Sequence, residues 1–508
     1  MYIGQTYLIN FSNGGLTPLK NESILKPTQM IECRNFDLQG NTRIVRGGTK
    51  LINEEPVSDS PRIMNMFDFT TYIVFATSNG YFYKGVNQAI GSNLGTSKPT
   101  SIEKFGNKIF ICNGNVAPYY WDGGAGNIVA MPSIPSSWAP GNYPGQFIAH
   151  GKGNSLRLWA VDFATTPFNV FASKNGDPLS FGDEDCVVLI FNTGDLYGIV
   201  AGVVFQDNLI LFGRRKAYIV DDSATNPAYW GYFESPWEGG TISWRTLVKT
   251  PNDIIPMTED FDIYSVSAAS QYGDYQTASL LQGTGLKEWM RENLEESYIT
   301  QFHGIYDPIL RAVRFFVVRK DKQEIDTCLL YFIDRPLTEA WVIHDASELS
   351  ASGYNASCSA LIYAGSGDFH IWTGDYDGSF WKLNDDDKQD GSSGFESTFT
   401  SPSSPLEAPR SMKRFDKLYF DIEVFSSIQG EIKITPIIDR VQYGAFTIVA
   451  TEGRKFYEIP LGYLGYELKF KVSSNVSGFN YAVHQAMVDF KPLTNKYRDW
   501  ETDRKSVV

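Results

Sequence analysis

The sequence predicts an all-β protein with few short helices. Short runs of β-branched and aromatic residues, separated by Gly, Asn and Asp turns, fill most of its 508 positions. Between about residues 60 and 385 these runs form hairpins that recur roughly every 40 to 50 residues. Repeats of that length, with four short strands in each, are typical of a β-propeller. A pair of stacked β-sandwiches is the alternative architecture.

Each predicted hairpin begins with a β-branched run and closes with an aromatic pair near Gly or Asp. The first has a turn at 78–80 between strands at 72–77 and 81–83. We predict further hairpins of this kind over 108–122, 156–173, 208–220, 314–343 and 359–372, the last with a turn at 365–368. These repeats are too degenerate to define the number of blades.

Two helices are predicted within this β-rich pattern. Apolar residues at i, i+3, i+4 and i+8 indicate an amphipathic helix near 286–300; they are Leu286, Trp289, Met290 and Leu294. We interpret its apolar stripe as a buried packing face. A shorter helix is predicted over 26–35, with Pro27 near its first turn.

Composition and pattern divide the chain into five parts. We expect an N-terminal attachment segment with a short helix at 1–60, a β-propeller-like domain at 61–390, a linker at 391–409, a β-sandwich-like domain at 410–497 and a tail at 498–508. The linker is acidic, Ser-rich and Pro-rich on either side of one strand at 395–401. In the strands of the sandwich, apolar and polar residues alternate, as they do in half-buried strands. The last six residues resemble a one-frame translation of a common sequencing adapter, so we expect that end to be non-native.

The charge balance excludes several classes of protein. There are 44 Lys and Arg against 58 Asp and Glu, a formal net charge of −14, and 14% of residues are aromatic. Disorder is excluded by this aromatic content, and a basic nucleic-acid binder is disfavoured because tight duplex binding requires cations against the phosphates. The sequence has neither a secretory signal pattern nor an apolar run near the ~18 residues of a membrane span. We therefore expect a soluble protein made in a cytoplasm, without membrane insertion.

The five cysteines indicate neither a disulfide framework nor a zinc site. They are Cys33, Cys112, Cys186, Cys328 and Cys358, widely spaced and without a CxxC pair. We predict buried free thiols in a protein made in a reducing compartment.

No catalytic motif was found. The five histidines, His150, His303, His344, His370 and His484, are isolated, and there is no HExxH, GxSxG, Walker A or dinucleotide fingerprint. We predict structural histidines, no catalytic residues, no cofactor and no enzymatic activity. The sequence does not decide whether two carboxylates are paired for glycoside hydrolysis, because the distance between them depends on the fold.

The strongest polar cluster runs from Gly374 to Gly378 and continues at 385–387. Asp375 and Asp377 before a glycine resemble the opening of a calcium loop, but the third ligand and the closing Glu are absent. The stretch from Thr373 also approaches the Asp-box turn of sialidase propellers. Turn chemistry accounts for the same residues, and we predict no metal site.

Basic residues form three small clusters: Arg43 with Arg46, residues 214–216, and Lys413 and Arg414 with Lys417. We interpret them as solvated turns, with a subunit contact or a local phosphate contact as the alternative.

Several motifs, taken in their order along the chain, resemble one family. The stretch Asn35-Phe-Asp-Leu-Gln-Gly-Asn-Thr-Arg-Ile-Val-Arg-Gly-Gly48 is similar to the opening of tail nozzle proteins of short-tailed bacteriophages, with Gly47 in place of a proline. Further similar stretches are 171–173 with 176–178, 205–212, 306–308, 340–341, and 363–365 with 377–378. Together they span most of residues 30–425.

This resemblance implies a virion structural protein of the phage tail, made in the host cytoplasm. Such nozzles are hexameric rings built around β-propellers, mounted below the head–tail adaptor ring that joins the portal. Their channel conducts and gates the genome without sequence-specific binding, and tail fibre proteins are further partners. A net charge of −14 agrees with this role, because each Lys or Arg contact would slow passing DNA.

Two other functions stay open. One is a glycan-binding or sialidase-like β-propeller, and the other is a cytoplasmic propeller that acts as a scaffold for other proteins. An enzyme of the sialidase type needs a convergent set of arginines and acids, and no arginine triad is identifiable along the sequence.

Overall fold

The computed structural model describes residues 5–10, 14–26, 28–40, 42–69, 72–96, 98–151, 155–192, 194, 197–266, 278–346, 352–363, 368–406 and 409–493. The predicted tail at 498–508, Pro27 and the predicted turn at 365–367 lie outside these residues. Five strands precede the propeller: β1 (Gln5–Asn10), β2 (Glu32–Arg34), β3 (Phe36–Gln39), β4 (Thr42–Val45) and β5 (Gly48–Leu51).

Seven consecutive units follow, and each contributes strands in the same antiparallel order. Blade 1 has β6 (Ile63–Phe69), β7 (Tyr72–Thr77), β8 (Phe82–Lys84) and β9 (Gln88–Gly91); blade 2 has β10 (Ser101–Phe105), β11 (Lys108–Cys112), β12 (Tyr119–Trp121) and β13 (Val129–Ala130); blade 3 has β14 (Gln146–His150), β15 (Arg157–Val161), β16 (Asn169–Ala172) and β17 (Val187–Ile190); blade 4 has β18 (Ala201–Phe205), β19 (Asn208–Phe212), β20 (Lys216–Asp221) and β21 (Gly231–Glu238).

The last three units complete the series. Blade 5 has β22 (Leu247–Lys249) paired with β23 (Ile254–Pro256), and β24 (Tyr264–Ser265) paired with β25 (Ala278–Ser279); blade 6 has β26 (His303–Asp307), β27 (Ala312–Val317), β28 (Thr327–Phe332) and β29 (Trp341–Asp345); blade 7 has β30 (Cys358–Tyr363), β31 (Phe369–Gly374), β32 (Phe380–Asp385) and, as its outer strand, β5. A bridge between Met257 and Ile263 joins the two halves of blade 5.

The first strands of the seven blades form a closed ring. Each of β6, β10, β14, β18, β22 and β26 lies beside the first strand of the next blade, and β30 lies beside β6. Closure also joins the two ends of the propeller, since β5 pairs with β32 with Thr49 opposite Leu383. The predicted β-propeller is confirmed, and the described residues give it seven blades.

Aromatic side chains fill the spaces between neighbouring blades, because each sheet buries both of its faces. Trp121 lies in the core between blades 1 and 2, Trp138 between blades 2 and 3, and Trp159 between blades 3 and 4. Two further cores join blade 4 to 5 and blade 7 to 1. The high aromatic content is therefore used at the blade contacts.

The second β unit is a sandwich of two sheets. Its remaining strands are β33 (Ser397–Thr400), β34 (Lys413–Val424), β35 (Gly430–Ile438), β36 (Val441–Gln442), β37 (Phe446–Ala450), β38 (Gly453–Gly465), β39 (Leu468–Ser474) and β40 (Tyr481–Pro492). One sheet has the order β3-β4-β40-β34-β38, with β1 also on β40. The other runs β2-β33-β39-β35-β36, with β37 also on β35, and continues through β29 into blade 6.

Strands from the predicted N-terminal segment and from the predicted linker thus take part in the sandwich. Arg34 of β2 pairs in parallel with Ile343 of β29 and in antiparallel with Thr398 of β33. A single apolar core runs from blades 5 to 7 into the sandwich. The two β units are therefore joined by a shared sheet and a shared core.

The two predicted helices have different outcomes. The amphipathic stripe is confirmed: α1 (Leu286–Asn293) buries Leu286 and Met290, and a 3-10 helix follows at Glu296–Gln301. The helix predicted over 26–35 is wrong, because Glu32–Arg34 form β2 between β29 and β33. Pairing with two distant strands outweighs the weak local preference.

Further 3-10 turns lie at Glu22–Ile24, Pro227–Tyr229, Trp244–Thr246 and Leu337–Glu339. Within the described part of the chain, no helix has the length and apolar character needed to cross a membrane.

Candidate functional site

The acidic cluster after β31 forms a tight turn. Asp375 Oδ1 accepts a hydrogen bond from the Tyr376 amide at 2.6 Å, and Asp377 Oδ1 accepts one from the Ser379 amide at 3.0 Å. Gly378 has a φ of +85°, which favours glycine. Burial raises the pKa of Asp375 to about 7. The Asp377 contact is that of an Asx turn, as the turn interpretation predicts, and Asp375 bonds the amide of the next residue.

No metal centre is evident in the described residues: they contain no group of three or more His, Cys, Asp or Glu side chains placed to hold an ion. The five cysteines are free thiols, and four of them are buried. Burial raises the pKa of Cys33 to about 11, so this thiol is protonated at neutral pH.

Three of the five histidines pair with carboxylates. His150 lies 3.2 Å from Asp222, and His484 lies 2.9 Å from Glu423. His344 is wholly buried, 3.2 Å from Asp37, and burial lowers its pKa despite that carboxylate. These contacts agree with structural roles.

The interpretation of Arg43 and Arg46 as solvated or as contacts to an external group is wrong. Both side chains have 0% exposure. Arg46 Nη2 lies 2.7 Å from Asp390 Oδ2, and its Nε donates to Asn35 Oδ1 at 2.8 Å. The Arg46 guanidinium is also 3.6 Å from the centroid of the Phe395 ring. Arg46 therefore binds the start of β5 to the end of blade 7 and to the sandwich.

The other two basic clusters lie mostly at the surface. Lys216 pairs with Glu234 at 2.6 Å, and Lys417 pairs with Glu458 at 2.6 Å. Lys413 differs, because its side chain is buried and its Nζ donates to the carbonyl of Tyr466 at 2.7 Å.

Motifs that resemble the nozzle family meet at the junction of blade 6, blade 7 and the sandwich. Asn35 adopts a φ of +58° and its Nδ2 donates to Asp345 Oδ1 at 2.6 Å. Asp307, from the 306–308 motif, accepts from the buried Arg314 at 2.9 Å. Asp307 also accepts from Asn384 Nδ2 at 2.9 Å. These motif residues are structural.

The side of the sandwich away from blade 6 has unpaired sheet edges. We call this surface, made of β36, β37 and β38, the free rim. In sheet order, β38 ends one sheet, while β36 and β37 end the other. The rings of Tyr443 and Tyr463 are 4.1 Å apart across it, so both edges lie on one side.

Apolar side chains are exposed along the free rim. Phe456 and Leu464 of β38 are 57% and 53% exposed, and Val441 and Val449 of the facing edge are 56% and 50% exposed. A 13-residue edge strand with exposed apolar side chains is a surface for protein contacts, because the backbone groups on its outer side have no strand partner among the described residues. Local sequence reasoning identifies such strands but not which of them end a sheet.

No protein-family model matches the chain, and no curated protein matches it. Among solved structures, it is similar to the computationally designed Ika8 protein (12% identity, 66% of this chain and 100% of that chain, TM-score 0.38). It is also similar to exo-beta-1,3-galactanase from Phanerochaete chrysosporium (10%, 82% and 100%, 0.28) and to the N-terminal domain of Nup159 (11%, 76% and 94%, 0.28). Similarity at this level has no bearing on activity, substrate or partners.

Proposed function

We propose that this chain is a structural subunit of the tail of a short-tailed bacteriophage. Copies of it form a ring, a hexamer by the family resemblance, that conducts and gates DNA below the portal and its adaptor. The subunit has no catalytic role. The observation that carries the proposal is the free rim, which supplies a surface for subunit contact on a chain whose motifs resemble nozzle proteins.

The rim has the properties that a subunit contact requires. Phe456 and Leu464 present apolar area on the long edge strand β38, and association would remove that area from water. A ring of identical chains needs a heterologous contact, in which one surface meets a different surface of the next copy. We place the free rim on one side of that contact.

The distribution of charge supports a DNA-conducting role for the propeller. Residues 61–409 contain 23 Lys and Arg against 40 Asp and Glu, a surplus of 17 negative charges. Residues 410–493 contain 11 Lys and Arg against 9 Asp and Glu, a surplus of two positive charges. An acidic propeller repels DNA phosphates. A nearly neutral sandwich adds little charge repulsion between subunits when they meet.

The test is assembly of the purified full-length chain, alone and with the adaptor of its phage. We expect rings with sixfold symmetry in negative-stain images and a hexamer by native mass. Phe456→Asp should prevent ring formation while leaving the fold intact. Ile309→Asp is the matched control, since Ile309 is also 57% exposed but lies in the turn between β26 and β27.

Two results would overturn the proposal. One is a chain that stays monomeric with the adaptor present, and the other is a monomer that cleaves glycans. The second result would favour a sialidase-like propeller, the alternative left open by the sequence.

A further inference from the structure

Four polar residues lie where the first strands of four neighbouring blades begin. Arg62 precedes β6 of blade 1, Arg245 precedes β22 of blade 5, His303 begins β26 of blade 6, and Ser357 precedes β30 of blade 7. Since every blade has the same strand order, all first strands begin at one end of the ring. The strands β22, β26, β30 and β6 are consecutive neighbours, so these residues share one end of the propeller axis.

Hydrogen bonds connect three of these blades through Arg245. Its Nη1 donates to the carbonyl of Gln301 at 3.0 Å, and its Nη2 donates to the carbonyl of Ser357. The Ser357 hydroxyl in turn donates to the carbonyl of Ile63 at 2.5 Å, next to Arg62. Arg245 is only 7% exposed, and these partners are neutral carbonyls.

Arg62 reaches the same cluster from blade 1. Its guanidinium lies 4.6 Å from the centroid of the Tyr376 ring, and the Tyr376 hydroxyl donates to Gln301 Oε1 at 2.9 Å. The buried Arg62 Nε has no hydrogen-bond partner. Among the described residues, neither Arg62 nor Arg245 forms an ion pair, since no carboxylate oxygen lies within 4.0 Å of their nitrogens.

The positive charge of this cluster is therefore uncompensated. Burial and then repulsion from Arg62 lower the pKa of Arg245 to about 10, well below that of a solvated guanidinium. A carboxylate or phosphate matches the planar guanidinium, and its negative charge would offset the repulsion between the two arginines.

His303 is the third polar group of this cluster. It is 4% exposed and stacks on Phe316 with ring centroids 4.7 Å apart, and neither ring nitrogen reaches hydrogen-bonding geometry with a described residue, although the backbone of Gln301 lies close to it. Burial, followed by the charge of Arg245, holds the pKa of His303 well below its usual range, so the ring is neutral. A neutral imidazole still has one N–H that can donate to an anion.

We propose that Arg62, Arg245 and His303 bind an oxyanion, the carboxylate or phosphate group of a ligand that reaches this end of the propeller. Arg245 is held by the blades, and the half-buried Arg62 is the more accessible of the two arginines. The site is independent of the proposed ring, because all of its residues belong to one chain. The sequence shows no motif here, since the four contributing segments are far apart along it.

The test is thermal unfolding of the full-length chain with rising inorganic phosphate or acetate, at constant ionic strength kept with chloride and at pH 7.5. A ligand that binds only the folded state raises Tm in a saturable way. We expect this rise with at least one ion, and the ion that gives it identifies a phosphate or a carboxylate as the ligand group. Arg62→Gln should weaken the apparent affinity at least about tenfold, and Arg62→Lys should weaken it less.

Arg311→Gln is the control, because Arg311 is exposed and already pairs with Asp334 at 2.6 Å. It should respond to the ions as the parent chain does. The proposal is overturned if neither ion stabilises the parent chain, or if Arg62→Gln responds as Arg311→Gln does. Arg62 is half-buried, so its replacement by Gln disturbs the blade core less than replacement of the buried Arg245 would. Parent and variants are compared at one protein concentration, because assembly also changes Tm.

Discussion

Arg46 Nη2 and Asp390 Oδ2 lie 2.7 Å apart in a wholly buried ion pair, although the two residues are 344 positions apart in the chain. Arg46 directly precedes Gly47 and Gly48, and Gly48 is the first residue of β5, the strand that closes the propeller; Asp390 follows blade 7. The guanidinium is also within 4.4 Å of the Tyr354 ring centroid and 3.6 Å of the Phe395 ring centroid. The Arg46 side chain therefore contacts both the closing segment of the propeller and the sandwich.

Removal of the carboxylate should be severely destabilising. Asp390→Ala leaves the Arg46 guanidinium charged and buried, and breaking such a pair costs about 3–5 kcal/mol of unfolding free energy. We expect this loss in urea denaturation. Asp334→Ala is the control, because its pair with Arg311 is exposed and solvent screens it, so its loss should change the free energy of unfolding far less. Equal losses for the two variants would contradict the role given to Asp390.

The two glycines after Arg46 allow β5 to approach blade 7. A Cβ at position 48 would lie 2.2 Å from the carbonyl oxygen of Gln389, and one at position 47 would lie 2.6 Å from the Cα of Asn384. Gly48→Ala should therefore cost about 1–3 kcal/mol through displacement of the closing strand. Gly231→Ala meets no atom within 4 Å and should change stability by less than about 0.5 kcal/mol. Chemical denaturation of both variants checks this, and an unchanged midpoint for Gly48→Ala would refute it.

Glu103, on the first strand of blade 2, should make stability depend on pH. Burial raises its pKa to about 7, although its Oε1 accepts from the Ala149 amide at 3.1 Å. Between about pH 4.5 and 7 the folded state keeps a proton that the unfolded state has released, so this group lowers stability as pH rises through that window. Above pH 7 the destabilisation is complete.

Glu103→Gln keeps an acceptor and removes the charge. We expect it to stabilise the protein by about 1–3 kcal/mol at pH 8 and to have little effect at pH 4.5. Denaturation midpoints at both pH values measure the difference. Glu234→Gln, at an exposed pair with Lys216, is the control for loss of a surface glutamate charge. A gain for Glu103→Gln that is equal at both pH values would show that the Glu103 charge is not the cause.

Local sequence patterns predicted the hairpins, a helix near 286–300, of which 286–293 is α-helical, and the turn chemistry of Asp377. Each depends on residues only a few positions apart, such as the alternation within a strand or the glycine of a turn. They did not predict that residues 32–34 form a strand, because β2 depends on pairing with Ile343 and Thr398, both more than 300 positions away.

Most of the candidate sites could not be predicted from the sequence, for the same reason. Arg62 belongs to blade 1 and Arg245 to blade 5. The residues next to either arginine in the sequence do not predict that the other arginine lies in the same cluster. The free rim depends on sheet order, which decides whether a strand such as β38 has one neighbour or two.

By itself, the sequence determined the all-β class, the repeated hairpins, the acidic charge and the absence of local catalytic motifs. Only the tertiary structure decided the seven blades, the burial of Arg46 and the uncompensated charge of Arg62 and Arg245. Strand alternation and turn formation are local, whereas ring closure and charge compensation depend on which distant segments meet. That choice is made by packing the whole chain, since burial and pairing are properties of the assembled sheets.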